Sequence, residues 1–275
     1  MMPRVAQAAI VYFMCAAGSS TFGQLIIAHR GASHDAPENT LAAFRLAVEQ
    51  GADGFEADFY LTAGGQVVAL HDKDTQRVAG EKLSVTEAPF ERLRALDVGG
   101  WKGAKWKGEQ MPTMEEVLAV VPDGKKIFIE LKSGAEIVEP MAKILHASSL
   151  APEQITIISF HEDAVAASKK RLPHLKAYWL CGFKKKKGEK APPTVDEVIA
   201  TLQRTGADAL DAQAVPKRVN AAFIERLREA GYDELHVWTV DDPKVARFYQ
   251  ELGVASITTN RPAWLREQLE APRAE

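Results

Sequence analysis

From residue 25 onward, short apolar runs of strand character take turns with longer runs whose apolar positions recur at helical spacing. The short runs predict strands at 25–31, 54–61, 126–132, 155–160, 176–183, 209–213, 234–240 and 255–260. The longer runs predict helices at 41–50, 114–121, 137–146, 162–171, 195–204, 221–230, 244–252 and 263–269. Regular alternation of strand and helix implies a parallel sheet with right-handed crossovers. Eight such units in about 250 residues suit a (β/α)8 barrel of the TIM type, with a doubly wound open sheet as the alternative. One interval breaks the rhythm. Between 64 and 112 a strand pattern at 67–71 leads into a Gly-, Lys- and Trp-bearing stretch with a brief helical pattern near 90–96. That is too long for a plain βα loop, so a small insertion after the second strand is expected over one barrel end. Residues 24–275 then form a single barrel domain.

The first 23 residues follow another pattern. Arg4 is their only charge, an apolar run covers 5–17, and small residues (Gly18, Ser19, Ser20, Thr21, Gly23) come next. This is the layout of a secretory signal peptide, so an exported protein, periplasmic or secreted, is expected; without a functioning leader it would be cytoplasmic. No later stretch is apolar for long enough to span a bilayer, and no transmembrane anchor is expected in the mature chain. Cys15 and Cys181 are the only cysteines, and loss of the leader would leave Cys181 without a partner. Apolar residues make up 46% and charged residues 26%, enough for a full core, and a net charge of −3 gives no reason to expect nucleic acid.

Chemistry concentrates at the carboxyl ends of the expected strands, where barrels of this kind carry their active sites. The first ends in His29-Arg30, the second carries Glu56-Ala57-Asp58, and the hairpin after it ends in His71-Asp72. The third ends in Glu130-Leu131-Lys132, and the seventh carries Trp238. Glu56 and Asp58 stand two apart on a strand and so share a face. Two inward carboxylates repel and are costly to desolvate unless a cation neutralises them. A hard divalent ion is the natural partner, with Glu130 as a third oxygen donor; the alternative is an internal ion-pair cluster with Arg30 and Lys132. Two histidines at one rim can take a proton from an attacking oxygen and give one to a leaving oxygen. Arg30 and Lys132 add positive charge suited to a phosphate. Together these groups describe cleavage of a phosphate ester.

The succession HRG, PENT, EADFYLTAGGQVVALHD, DVGGWKG, MPTMEEVL, IFIELK, HVWTVDD and ITTNRP resembles the glycerophosphodiester phosphodiesterases, in that family's order and over nearly the whole chain after Gln24. The resemblance implies a TIM barrel that hydrolyses glycerophosphodiesters to sn-glycerol 3-phosphate and an alcohol, through internal attack by the glycerol 2-hydroxyl and a cyclic phosphate. It implies His29 and His71 as the catalytic pair, and Glu56, Asp58 and Glu130 as ligands of one divalent metal ion, Mg²⁺ or Ca²⁺. Arg30 and Lys132 match phosphate contacts, Asn39 a residue near metal or substrate, and Trp238 an aromatic against the glycerol end. Glu38 is expected to order its loop and cap the following helix beside Thr40. Asn260 stands where the family commonly has Asp, a change expected to leave the chemistry intact. Two other readings stand beside a glycerophosphodiesterase. A lysophospholipase D-like enzyme would need an apolar groove, for which Trp101, Trp106 and Trp179 are candidates. A non-catalytic phosphate-binding barrel would have no use for two histidines and three acids. The lysine run at 184–187 is either a solvated loop or a positive collar for anionic substrates or lipid headgroups. Oligomeric state is not legible.

Overall fold

Nine strands form in the order the pattern predicts: β1 (Leu25–Ala28), β2 (Gly54–Leu61), β3 (Val67–Ala69), β4 (Lys126–Leu131), β5 (Ile155–Ser159), β6 (Lys176–Cys181), β7 (Ala209–Gln213), β8 (Leu235–Trp238) and β9 (Ser256–Thr259). They are seen in a computed structural model that describes residues 24–184 and 191–271. The expected leader and Lys185, Lys186 and Lys187 of the lysine run lie outside the described residues. All but β3 run parallel, in the order β1-β9-β8-β7-β6-β5-β4-β2. β1 pairs with β2 as well as β9, which closes the ring. The fold is therefore the (β/α)8 barrel, and the open sheet is excluded.

Side-chain parity explains why this ring has both a core and a site. In β2, GFEADFYL, the odd-numbered residues Phe55, Ala57 and Phe59 turn outward and pack under the helices, together with Ile127, Ile129, Leu210 and Val237 from other strands. The inward set is smaller: Ile27, Phe128, Ile158, Tyr178, Leu180 and Ala209 fill the barrel interior. Glu56 and Asp58 share that interior, at 2% and 0% exposure. A strand fully buried on both faces reads as apolar except where the inward face carries function.

β1 is shorter than 25–31 because the chain turns after Ala28. Arg30 and Gly31 adopt φ of 58° and 79°. Gly31 is required there twice over, since a Cβ would also fall 2.6 Å from the backbone carbon of Ala43. His29 and Arg30 thus sit in the turn past the strand. Thr40 alone caps the helix Leu41–Glu49, accepting from the Ala43 N–H at 3.2 Å. Glu38 plays no part in that cap and is used elsewhere.

After β2 the chain makes a hairpin with antiparallel β3, then two short helices (Gln76–Ala79 and Phe90–Arg94) and two 3-10 turns (Gly100–Lys102 and Ala104–Trp106). These surround a small cluster of their own that includes Val68, Leu70, Val78, Val85, Leu93 and Met111. Lys102 Nζ donates to the Ser33 carbonyl at 2.7 Å and ties this segment to the loop after β1. Among the described residues no helix is long and apolar enough to cross a membrane.

Candidate active site

The loop after β1 is built around two residues in left-handed backbone, Arg30 and Asn39 (φ 56°). Such conformations are costly outside glycine and persist where the surroundings over-determine them. Here the surroundings are the acids of β2. The Asn39 N–H donates to the Arg30 carbonyl at 3.0 Å, and the Arg30 N–H donates to Glu56 Oε2 at 2.9 Å. Asn39 Nδ2 donates to Asp58 Oδ2 at 2.7 Å while its Oδ1 accepts from the Asp58 N–H at 3.1 Å. Both ends of the Asn39 amide are thus engaged with Asp58, and the residue is 2% exposed. Its place is beneath the acid cluster, holding Asp58.

Asp58 pairs with Glu130 in register across β2 and β4. Ligand oxygens of Glu56, Asp58 and Glu130 all lie within 4.8 Å of one another. Lys132 Nζ lies 2.8 Å from Glu130 Oε1 and 3.2 Å from Asp58 Oδ1, and Arg30 Nε lies 3.3 Å from Asp58 Oδ2. Part of the expected internal ion-pair cluster therefore exists, but it does not close. Glu56 Oε1 is buried without a hydrogen-bond partner. The electrostatics follow from this distribution. Burial opposes ionisation of Asp58, but Lys132 and Arg30 outweigh it and hold its carboxyl well below the usual range. Burial, with Asp58 and Glu130 beside it, pushes Glu56 well up. Burial and Asp58 likewise push Glu130 up to about 7. With all three carboxyls ionised against Arg30 and Lys132 the cluster would be short of one unit of positive charge, and Glu56 Oε1 is aimed at nothing. An oxygen-liganded divalent cation fits that deficit.

The two histidines meet this cluster with different partners. Burial, then Arg30, lower the pKa of His29 to about 4. Its Nδ1 lies 2.7 Å from Asn260 Oδ1. Asn260 in turn donates from Nδ2 to Asp241 Oδ2, so its amide oxygen is the end that faces the imidazole. His71 Nδ1 instead meets the Asp72 carboxylate at 2.7 Å, and Asp72 is held by Arg77 Nε at 2.6 Å. Burial lowers the His71 pKa, with Asp58 and Asp72 working against it. Arg77 also donates to both oxygens of Glu38, and Glu38 accepts from Arg30 at 3.0 Å. Glu38 orders its loop by clamping the two arginines.

These groups open onto one cavity of about 130 Å³, which His29, Arg30, Glu56, His71, Glu130 and Lys132 line on one side. Trp238 lines it from β8, with its ring edge-to-face against Phe160 at 5.5 Å. None of Trp101, Trp106 and Trp179, the candidates for an acyl groove, lines it. Three features of the site are absent from the sequence-based expectations. Asp211 of β7 lines the cavity, but it is a single acid on its strand and parity alone does not mark it as functional. Phe160 lies just past β5 at the rim. The contact of Asn260 with His29 spans 231 positions, and no local pattern encodes it. Asn260, read from the sequence as a departure without effect on the chemistry, thus touches one of the two expected catalytic histidines directly.

Comparison with known proteins agrees with this geometry. A family model described as the glycerophosphoryl diester phosphodiesterase family matches residues 29–264. A glycerophosphodiester phosphodiesterase of Caldanaerobacter subterraneus subsp. tengcongensis is 39% identical over 166 residues, 58% of this chain and 68% of that one. A phosphodiesterase from Oleispira antarctica, solved with the product sn-glycerol 3-phosphate, shares the fold with a TM-score of 0.79 at 24% identity, covering 91% of this chain and 98% of that one. A glycerophosphodiester phosphodiesterase from Agrobacterium tumefaciens C58 superposes with a TM-score of 0.72 at 25% identity, covering 89% and 100%. With barrel, acid cluster and family model in agreement, the chain belongs to the glycerophosphoryl diester phosphodiesterase family and is an enzyme of that class.

Proposed function

We propose that this enzyme hydrolyses glycerophosphodiesters to sn-glycerol 3-phosphate and an alcohol, with His29 as general base and His71 as general acid. The observation that carries the reading is the convergence on one cavity of two histidines, two cations and Glu56 and Glu130, with Asp58 buried in the same acid cluster. Glu56, Asp58 and Glu130 would hold the divalent ion, Mg²⁺ or Ca²⁺, which when bound neutralises charge on a phosphoryl oxygen. Arg30 and Lys132 face the same oxygens from the protein side and orient the phosphate.

The partners of the two imidazoles support the assignment of roles. An amide oxygen only accepts, so Asn260 requires the proton of His29 on Nδ1 and leaves Nε2 with a free lone pair. That nitrogen takes the proton of the attacking hydroxyl, the glycerol 2-hydroxyl or a water, as the new P–O bond forms. The Asp72 carboxylate favours the cationic form of His71, which gives its proton to the departing alcohol oxygen as the old P–O bond breaks. Internal attack leaves a cyclic phosphate, which water opens with the two roles exchanged.

A base must be unprotonated, so activity is present above its pKa and lost as pH falls through it. Asn260→Asp places a carboxylate beside Nδ1, which favours the imidazolium and raises the pKa of His29. The acid limb of the kcat/KM profile is expected to move upward by about 1–3 pH units. An unmoved limb would argue against His29 as base.

The activity itself is tested by release of glycerol 3-phosphate from glycerophosphocholine and glycerophosphoethanolamine, with Mg²⁺ and Ca²⁺ compared. Release from both is expected. Release of choline from lysophosphatidylcholine, with no glycerol 3-phosphate from the other two, would favour the lysophospholipase D-like reading, and tight phosphate binding with no release from any of them would favour a non-catalytic barrel.

A further inference from the structure

Opposite the acid cluster, the wall formed by β6, β7 and β8 carries a polar side chain with no task in the chemistry above. Asp211 points inward from β7, in register with Leu180 of β6 and His236 of β8, and is 1% exposed. It lines the same cavity as the histidines and the acids. Its Oδ1 is buried with no hydrogen-bond partner, and among the described residues no cation pairs with it. The backbone around it is fixed, because Trp238 Nε1 donates to the Asp211 carbonyl at 3.1 Å. A buried carboxyl in this state costs stability, and such groups call for an explanation outside folding. Burial and the charge of Glu130 push its pKa well up, in keeping with a neutral acid. A neutral carboxyl offers one O–H donor and one carbonyl acceptor side by side, the complement of an alcohol hydroxyl.

The shape of the cavity says which hydroxyl. The phosphate end lies with Arg30 and Lys132, on the β1, β2 and β4 side. Beside Asp211 the lining is Leu180, in register with it on β6, while Ile158 and Thr258 line the cavity further round the ring, all three buried. Below it the interior is filled by Phe128, Tyr178 and His236, each two residues before a cavity-lining residue on its own strand. His236 stacks on Tyr178 at 4.4 Å and meets the Phe128 edge at 5.6 Å. The Asp211 end is therefore blind. A cavity of about 130 Å³ with the barrel interior beneath it filled by side chains suits a short arm reaching in from the phosphate better than a long chain. The glycerol 2-hydroxyl is engaged beside the phosphorus, which leaves the terminal hydroxyl to reach this wall.

We propose that Asp211 hydrogen-bonds the terminal hydroxyl of the glycerol arm and so makes the enzyme select deacylated glycerophosphodiesters over 1-acyl lysophospholipids. This rests on the glycerophosphodiester reading above. A site built to bind a hydroxyl rejects the analogue lacking it far more strongly than an apolar pocket rejects a missing methylene.

The test compares glycerophosphocholine with its propane-1,2-diol analogue, which keeps the 2-hydroxyl and replaces only the terminal one by hydrogen. Wild-type enzyme is expected to prefer glycerophosphocholine in kcat/KM by about 10²-fold or more. In Asp211→Leu that ratio is expected to fall to within about threefold of one, because the apolar wall has no polar group left to disappoint. A residue that served only to support the fold would lower both rates and leave their ratio alone. Equal kcat/KM for the two substrates in wild type overturns the proposal without any variant, and so does an undiminished ratio in Asp211→Leu. Lysophosphatidylcholine turned over by wild type as fast as glycerophosphocholine also overturns it. Failure of wild type to release glycerol 3-phosphate from glycerophosphocholine sinks instead the activity on which the proposal stands.

Discussion

His71→Ala and His29→Ala are each expected to lower kcat on glycerophosphocholine by about 10²–10⁴-fold, the usual worth of a positioned acid or base. The fold should survive both changes. Each imidazole stands beyond a strand end and makes a single side-chain hydrogen bond, to Asp72 in one case and to Asn260 in the other. Far-UV circular dichroism and melting temperature check this. A second substrate separates the two roles. A p-nitrophenyl phosphodiester of glycerol has a leaving group that departs without a proton, so it needs no general acid. It should restore much of the rate to His71→Ala and little to His29→Ala. Rescue in the opposite sense would reverse the assignment, and full activity of either variant on glycerophosphocholine would end it.

The second large effect concerns the acid cluster. Dialysis against EDTA is expected to abolish turnover, and Mg²⁺ or Ca²⁺ to restore it. A readout independent of turnover comes from linkage, since an ion that binds only the folded chain stabilises it by ~2.7 kcal/mol at a concentration 100 times its Kd. For a barrel of this size that is a rise of roughly 5–10 °C in melting temperature. Binding should also release protons, because Glu56 and Glu130 hold theirs above the usual carboxylate range. Asp58→Asn should remove the thermal shift, as it takes away the most readily ionised of the three donors. A melting temperature indifferent to both ions, with activity that survives chelation, would return the cluster to a purely internal network of ion pairs.

Much of this enzyme is legible in its amino-acid sequence, for a physical reason that differs between fold and site. Strand and helix periods are local, so the pattern places the eight βα units within a few residues of their observed ends. The differences fall where a non-local contact ends an element. β1 stops at Ala28 because Gly31 must pass against the Ala43 backbone, which no local period announces. The acid pair Glu56 and Asp58 is legible because alternation along a strand fixes their common face, and the same rule holds for Glu130 once the sheet is closed. Asp211 obeys that rule too, but a single acid in ALDAQ has no neighbour on its strand to mark it.

The linear order of residues thus determined which chemical groups the barrel rim would carry and which element would deliver each of them. Their partners were decided only in three dimensions. Asn39 grips Asp58, Glu38 clamps Arg30 and Arg77, and Asn260 orients His29, across separations of 19, 8, 39 and 231 positions. Hydrogen-bond geometry is short-ranged in space and blind to distance along the chain. The identity of each group was therefore written in the sequence, whereas its protonation and its role depend on which loop the closed barrel sets against it.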